Sequence, residues 1–545
     1  MQKFIIVVLA ALGITACAIN PSATSSAVAT NASSPVKQLF HQPTTVKQTI
    51  ESQALAISNS AESASYTYVT TYNTRSLLAT LEQSAICPQG INAAVCSANK
   101  AKLRKKYKFD IDSSKQIIAN EANAYRITYI TPDVFGAKQM VSGGIIIPHI
   151  APAQIKGVVL YYHPTEITKY QVPSCFFAAK NLPEYCNISE NHRGSSYAIE
   201  MGAIFASRGY IVVMPDYLGQ GLDSRHVHPF VLYPEANAWS GINMLPRTRE
   251  LLSKLGYSGD SLNLYLAGFS EGGAYALWAS KLLQTTASSV LLHQNMQLKM
   301  TAGLSGAYDL SHAQLPMEVA NTNAYPEKSQ YNAFSKQDLA VKKPILVAYM
   351  LTALGAYAMN ESYSLAFNPK FMQMQCGAPC LVRDQHYTID QLYMDSVNKF
   401  SAKEIATAVG NTAFTVINPR NHQPYGLNNN SATIFAQNGL LQNKTFIALV
   451  QHAGITQWKT ITPVELLYLD YDSVVTNLNS LNAYTGIINT QSAGGLVKKI
   501  PVSNFDFVSY GFNQASGKPS MVPIDHSQSS SYLLIIALHQ FDSIR

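Results

Sequence analysis

Charge is scarce in this chain. Only 13% of its 545 residues are Asp, Glu, Lys or Arg, against 47% hydrophobic. That balance excludes a protein disordered throughout, which would need few apolar residues and many charges, and it allows a large core. The formal net charge of +7 is thinly spread. Its densest block, Lys102-Leu103-Arg104-Lys105-Lys106, reads as a solvated face, and nothing argues for a nucleic-acid partner. No Cys-x2-Cys spacing or His-rich partner accompanies the cysteines, so a bound metal is not expected. There is no internal repeat.

The N-terminus reads as an export signal. Lys3 supplies a positive start, Phe4 to Ile14 form an apolar core, and Ile14-Thr15-Ala16-Cys17 closes it. A core of about eleven residues is too short to span a bilayer and fits a cleaved signal peptide over 1–16. Small residues before the cysteine make the segment resemble a bacterial lipobox, although it departs from the commonest Leu-Ala-Gly-Cys form. That resemblance implies lipidation of Cys17, with Ala18 favouring outer-membrane sorting. Ordinary signal cleavage nearby is the alternative. Residues 17–66 are rich in Ser, Ala, Thr and Asn, and read as a flexible tether behind the lipid.

Six further cysteines fall into three close pairs: Cys87 with Cys96, Cys175 with Cys186, and Cys376 with Cys380. Six cysteines allow fifteen connectivities. Local pairing is the economical reading, and disulfides suit an oxidising compartment.

Strand and helix signals alternate from about residue 107. Tyr125–Ile130 and Gly143–Pro148 read as antiparallel edge strands. Val158–Tyr162, Tyr210–Pro215, Leu262–Ala267, Met300–Gly306 and Val464–Leu469 are apolar runs of the kind a parallel sheet covered on both faces demands. Val502–Val508 reads as the last strand. Helices are expected over Ser76–Gln83, Tyr197–Ser207, Trp239–Leu255 and Ser529–Leu538. The alternation lapses over 312–455, which is too long for a structureless loop and reads as an inserted helical lid or cap.

The chemistry is carried by Leu262-Asn263-Leu264-Tyr265-Leu266-Ala267-Gly268-Phe269-Ser270-Glu271-Gly272-Gly273. A buried strand runs into Gly-x-Ser-x-Gly and then a helix, the context in which the serine hydroxyl stands exposed on a strained turn. Gly268 and Gly272 fit because neighbouring backbone comes too close for a Cβ. Ser270 is the candidate nucleophile. It needs a base, and the base needs an acid; after such an elbow they follow in the order Ser, Asp, His. Asp472, just beyond Val464–Leu469, is the preferred acid, with Asp470 as runner-up. His526, on a loop before the terminal helix, is the preferred base, whereas His539 lies within that helix. Backbone N–H groups of Glu271 and of the loop His163-Pro164-Thr165-Glu166 would bind the oxyanion. Pro164 has no N–H, which leaves Thr165.

Gly268–Gly273, the run Ala206–Gly221 and His228-Pro229-Phe230 together resemble the α/β-hydrolase superfamily, and within it the secretory-lipase-like serine esterases. The resemblance implies an α/β fold with a mostly parallel central sheet over 67–545, a lid, and cofactor-free hydrolysis of esters or lipids. Asp216 and His228 read as scaffold residues that fix loops, with substrate contact as the alternative. A serine peptidase, an acyltransferase and a non-catalytic surface binder remain as alternatives. The chain departs from the usual His-Gly after the oxyanion strand, having His163-Pro164.

Overall fold

The computed structural model describes residues 43–58, 64–87, 91–112, 115–166, 171–176, 182–186, 197–257, 259–319, 346, 349–350, 353–359, 364–367, 414–417, 424–426, 443–490, 495–513 and 518–544. Cys17, Cys376 and Cys380 lie outside them, as does most of 312–455.

Nine strands form the main sheet: β1 (Ser65–Asn73), β2 (Glu121–Pro132), β3 (Lys138–Pro148), β4 (Gly157–Tyr162), β5 (Tyr210–Pro215), β6 (Leu262–Phe269), β7 (Met296–Leu304), β8 (Val464–Leu469) and β9 (Val497–Val502). Their spatial order is β1-β2-β3-β5-β4-β6-β7-β8-β9. Strands β5 to β9 in that order pair in parallel, and β1, β2 and β3 continue the sheet antiparallel. Every residue of β4 and β5 is buried, as expected of strands covered on both faces.

Alternation along β4 sorts the helices into two layers. Val158, Leu160 and Tyr162 pack with α1 (Pro43–Ser58), α5 (Pro234–Lys254), α6 (Glu271–Leu283) and α7 (Leu478–Asn489). Val159 and Tyr161 pack with α2 (Thr74–Leu81), α3 (Ala93–Tyr107), α4 (Tyr197–Ser207) and α8 (His526–Ser543). Among the described residues no helix is long and apolar enough to cross a membrane.

Several sequence expectations need correction. The proposed tether 17–66 contains α1, and β1 begins at Ser65. Ala54 and Ile57 are buried, and Arg247 donates to the Ile57 carbonyl. Apolar residues at helical spacing (Ile50, Ala54, Ile57) are diluted by Ser and Thr, so composition hides the packed face. The proposed last strand Val502–Val508 is displaced. The sheet strand is β9, and Val508 opens a hairpin of β10 (Val508–Asn513) with β11 (Lys518–Pro523). Lys498 and Lys499 are both exposed on this edge strand, which breaks the apolar run that marked the inner strands. The run Lys102–Lys106 lies on α3 and is solvated but paired: Lys102 and Lys106 reach Asp506, and Arg104 reaches Asp110. Within 312–455, the described residues include Leu315–Val319, Lys444–His452 and a small antiparallel sheet of Ser364–Phe367, Phe414–Ile417 and Pro424–Gly426.

Disulfides join Cys87 to Cys96 and Cys175 to Cys186. Both are local, as the spacing suggested.

Candidate active site

At the end of β6 the chain turns sharply. Ser270 has φ 57° and ψ −122°, a positive-φ conformation that costs a serine energy and lifts its side chain off the sheet. Its N–H donates to the Leu304 carbonyl at 2.8 Å, anchoring the turn to β7. The flanking glycines are steric requirements. A Cβ on Gly268 would lie 2.0 Å from the Gly272 carbonyl oxygen, and one on Gly272 would lie 2.2 Å from that of Tyr162.

Two later segments meet this turn. His526 opens α8, and its Nε2 lies 2.8 Å from Ser270 Oγ. Its Nδ1 lies 2.7 Å from Asp472 Oδ2. A carboxylate accepts, so Nδ1 donates to Asp472 and Nε2 is left to accept the serine proton. Asp472 sits just beyond β8, and its other oxygen accepts the N–H groups of Val474 (3.0 Å) and Val475 (2.8 Å). The His526 ring stacks on Phe269, with centroids 4.8 Å apart. Ser270, Asp472 and His526 are all buried. Asp470 stands apart from this group: burial and the neighbouring Asp506 raise its carboxyl, and its backbone N–H bonds to β9. His539 lies half-buried within α8, more than three turns beyond His526.

Thr165 and Glu271 line the same cavity as Ser270 and His526. Glu271 is the first residue of α6, where backbone N–H groups have no partner in a preceding turn and the helix dipole favours negative charge. The cavity has a volume of about 380 Å³. Phe230, Val231, Leu310, Leu346, Met350 and Val474 give it an apolar wall.

The supporting roles of Asp525, Gln528 and Glu166 went unread in the sequence, whereas Asp216 and His228 read there as scaffold. Asp525 caps α8 and accepts from the N–H of His526 (2.7 Å), the N–H of Ser473 (3.1 Å) and the Ser473 hydroxyl. Gln528 completes a capping box with it, a pattern visible in Asp525-x-x-Gln528. Glu166, on the cavity wall, has its carboxyl pushed well above the usual range by burial and by the Glu271 charge. His228 contacts Glu271 rather than the cavity. Asp216 is buried, accepts from Ser142 Oγ (2.6 Å) and the Ser174 N–H (2.8 Å), and is raised to about 6 by burial. It fastens β3, β5 and the loop that carries Cys175. Among the described residues, Glu82, Cys87 and Cys96 are the one group at metal-ligand distance, and both of its sulfurs are spent in a disulfide.

Comparison with solved structures then decides the architecture. The esterase LipA from Xanthomonas oryzae, which degrades rice cell wall, superposes with a TM-score of 0.55 over 88% of this chain and 98% of its own, at 16% identity. A candidate hydrolase from Legionella pneumophila gives a TM-score of 0.53 over 88% and 97%, at 18% identity. This is an α/β-hydrolase fold. At such identities the likeness concerns the fold, and the chemistry has to be read from the residues above. No protein-family model matches the chain, and no curated protein matches it.

Proposed function

We propose that the protein hydrolyses carboxylic esters through an acyl-enzyme on Ser270. The observation that carries this reading is the unbroken relay from Ser270 Oγ through His526 to Asp472, at 2.8 Å and 2.7 Å. Oγ attacks the ester carbonyl carbon while His526 Nε2 takes its proton. The Asp472 carboxylate orients the ring and stabilises the imidazolium. The N–H groups of Glu271 and Thr165 hold the oxyanion. As the tetrahedral species collapses, the C–O bond to the alcohol breaks and His526 returns the proton to the departing oxygen. Water, deprotonated by His526, then attacks the acyl-enzyme and releases the acid and Ser270.

The apolar cavity wall supports an acyl group as the part bound there. LipA, which shares the fold, is an esterase, and the same class of bond is proposed here. Leu346 and Met350, which lie within 312–455, line the cavity; this supports the reading of that insertion as a cover. The two disulfides support export to an oxidising compartment. Lipidation of Cys17 and an outer-membrane or cell-surface location belong to the same proposal.

A panel of nitrophenyl esters of increasing chain length, run beside peptide amides, tests the reading. Ester turnover that disappears in Ser270→Ala is expected. Faster amide than ester turnover would replace the esterase by a peptidase. Transfer of the acyl group to added alcohol in preference to water would make it an acyltransferase.

A further inference from the structure

Two buried histidines flank the ring of Tyr217: His163 with centroids 4.0 Å apart and His228 at 6.0 Å. Burial disfavours a charged ring at either position. At His163 burial prevails and holds the imidazole down at about 4, so that ring is neutral. Its nitrogens face carbonyl oxygens, Pro164 at 2.7 Å and Asp216 at 3.4 Å.

His228 has a different pair of partners. Its Nδ1 lies 2.7 Å from the Leu218 carbonyl oxygen, and its Nε2 lies 2.6 Å from Glu271 Oε1. A carbonyl oxygen only accepts, and so does an ionised carboxylate. Opposite an ionised Glu271, a proton on each ring nitrogen, which is an imidazolium, satisfies both contacts. Burial opposes ionisation of Glu271, but the charge and hydrogen bond of His228, with hydrogen bonds from Tyr275 and Thr165, outweigh this and hold it below the usual carboxylate range. Both side chains of the pair are 1% exposed.

The location gives the pair a consequence. Glu271 directly follows Ser270, so the residue whose N–H is assigned to the oxyanion also carries a buried negative charge. Left unneutralised, that charge would oppose a second negative charge a few ångströms away by more than about 1.4 kcal/mol at an effective dielectric near 20, over tenfold in rate. The other titratable groups around the pair do not supply the balance. Tyr275 on α6 and Tyr217 after β5 keep their protons, as does Glu166 after β4, and His163 is neutral.

We propose that His228 is a positioning residue: its imidazolium neutralises Glu271 and ties that carboxylate to the loop after β5, so that an oxyanion can form beside the start of α6. The catalytic half of this statement rests on the esterase reading; the charge state of His228 does not.

Nitrogen-15 NMR of histidine-labelled full-length protein reads the charge state directly, with the His228 signals assigned by their loss in His228→Gln. A ring protonated on both nitrogens at about pH 7.5 is expected; a neutral ring overturns the proposal. Kinetics read the second half. His228→Gln keeps an amide donor without the charge and should lower kcat by at least about tenfold, with KM within about twofold. Adding Glu271→Gln should restore most of the loss, because the uncompensated charge goes with it. A double variant no faster than His228→Gln would reduce the pair to a structural contact and overturn the catalytic role. Undiminished turnover in Ser270→Ala would discard the esterase reading, and the NMR result would still decide the charge state of His228.

Discussion

The carboxylate of Asp525 accepts both the backbone N–H and the hydroxyl of Ser473, the residue that follows Asp472. The same carboxylate accepts the N–H of His526 at 2.7 Å. One buried side chain thus fastens the loop of the acid to the helix start of the base. Misplacing a catalytic group by about 1 Å can cost a hundredfold in rate. Asp525→Ala is therefore expected to lower kcat about 10- to 100-fold with little change in KM. It should also cost about 1 kcal/mol of stability through the lost helix cap. Steady-state kinetics and urea unfolding check both effects. Unchanged kcat in a destabilised variant would leave Asp525 as a cap alone.

Asp472→Asn removes the acceptor that fixes the His526 tautomer while preserving side-chain volume. A fall in kcat approaching about 10⁴-fold is expected at neutral pH. Asp470→Asn should stay within about threefold of the parent, since Asp470 faces Asp506 rather than His526. Reversal of that order would reassign the acid.

How much of this was legible in the sequence depended on how local each signal is. The elbow was fully legible, because glycine spacing, the preceding apolar strand and the following helix all lie within a dozen residues around Ser270. Asp472 and His526 followed from chain order, and the structure brings both to Ser270. Strands buried on both faces, such as β4 and β5, also stood out as continuous apolar runs. Edge strands did not: β9 interleaves Lys498 and Lys499 with its apolar residues, and β1 is mostly Thr and Tyr. The contacts of His228 with Glu271 and of Asp525 with Ser473 cross 43 and 52 positions, and no periodicity encodes such pairings.

Gly272 leaves no room for a side chain, since a Cβ there would stand 2.2 Å from the Tyr162 carbonyl oxygen. Gly272→Ala must push β4 and the start of α6 apart, and a loss of about 1–3 kcal/mol is expected, with nitrophenyl-ester turnover lowered as well. Thermal unfolding and nitrophenyl-ester turnover check this. A variant as stable and active as the parent would mean that the turn is looser than described.

Asp216 links stability to pH with a definite sign. Its folded value of about 6 lies above the ordinary 3.8, so the folded state holds the proton more tightly. Its contribution is fully present below about pH 3.8 and is lost as pH rises through about 6. The stability of Asp216→Asn relative to the parent should therefore improve between about pH 4 and 6 and then level off. Urea unfolding at several pH values measures it. A difference that stays constant with pH would show that Asp216 titrates normally in the fold.

The central claim is that one hydroxyl, on Ser270, forms the covalent intermediate. Treatment with a fluorophosphonate, followed by intact-mass and peptide mass spectrometry, tests it most directly. A single adduct mapping to Ser270, absent from Ser270→Ala and slowed in His526→Ala, is the expected result. Labelling that persists in Ser270→Ala, or a parent protein that ignores the probe while it turns over esters, would contradict it.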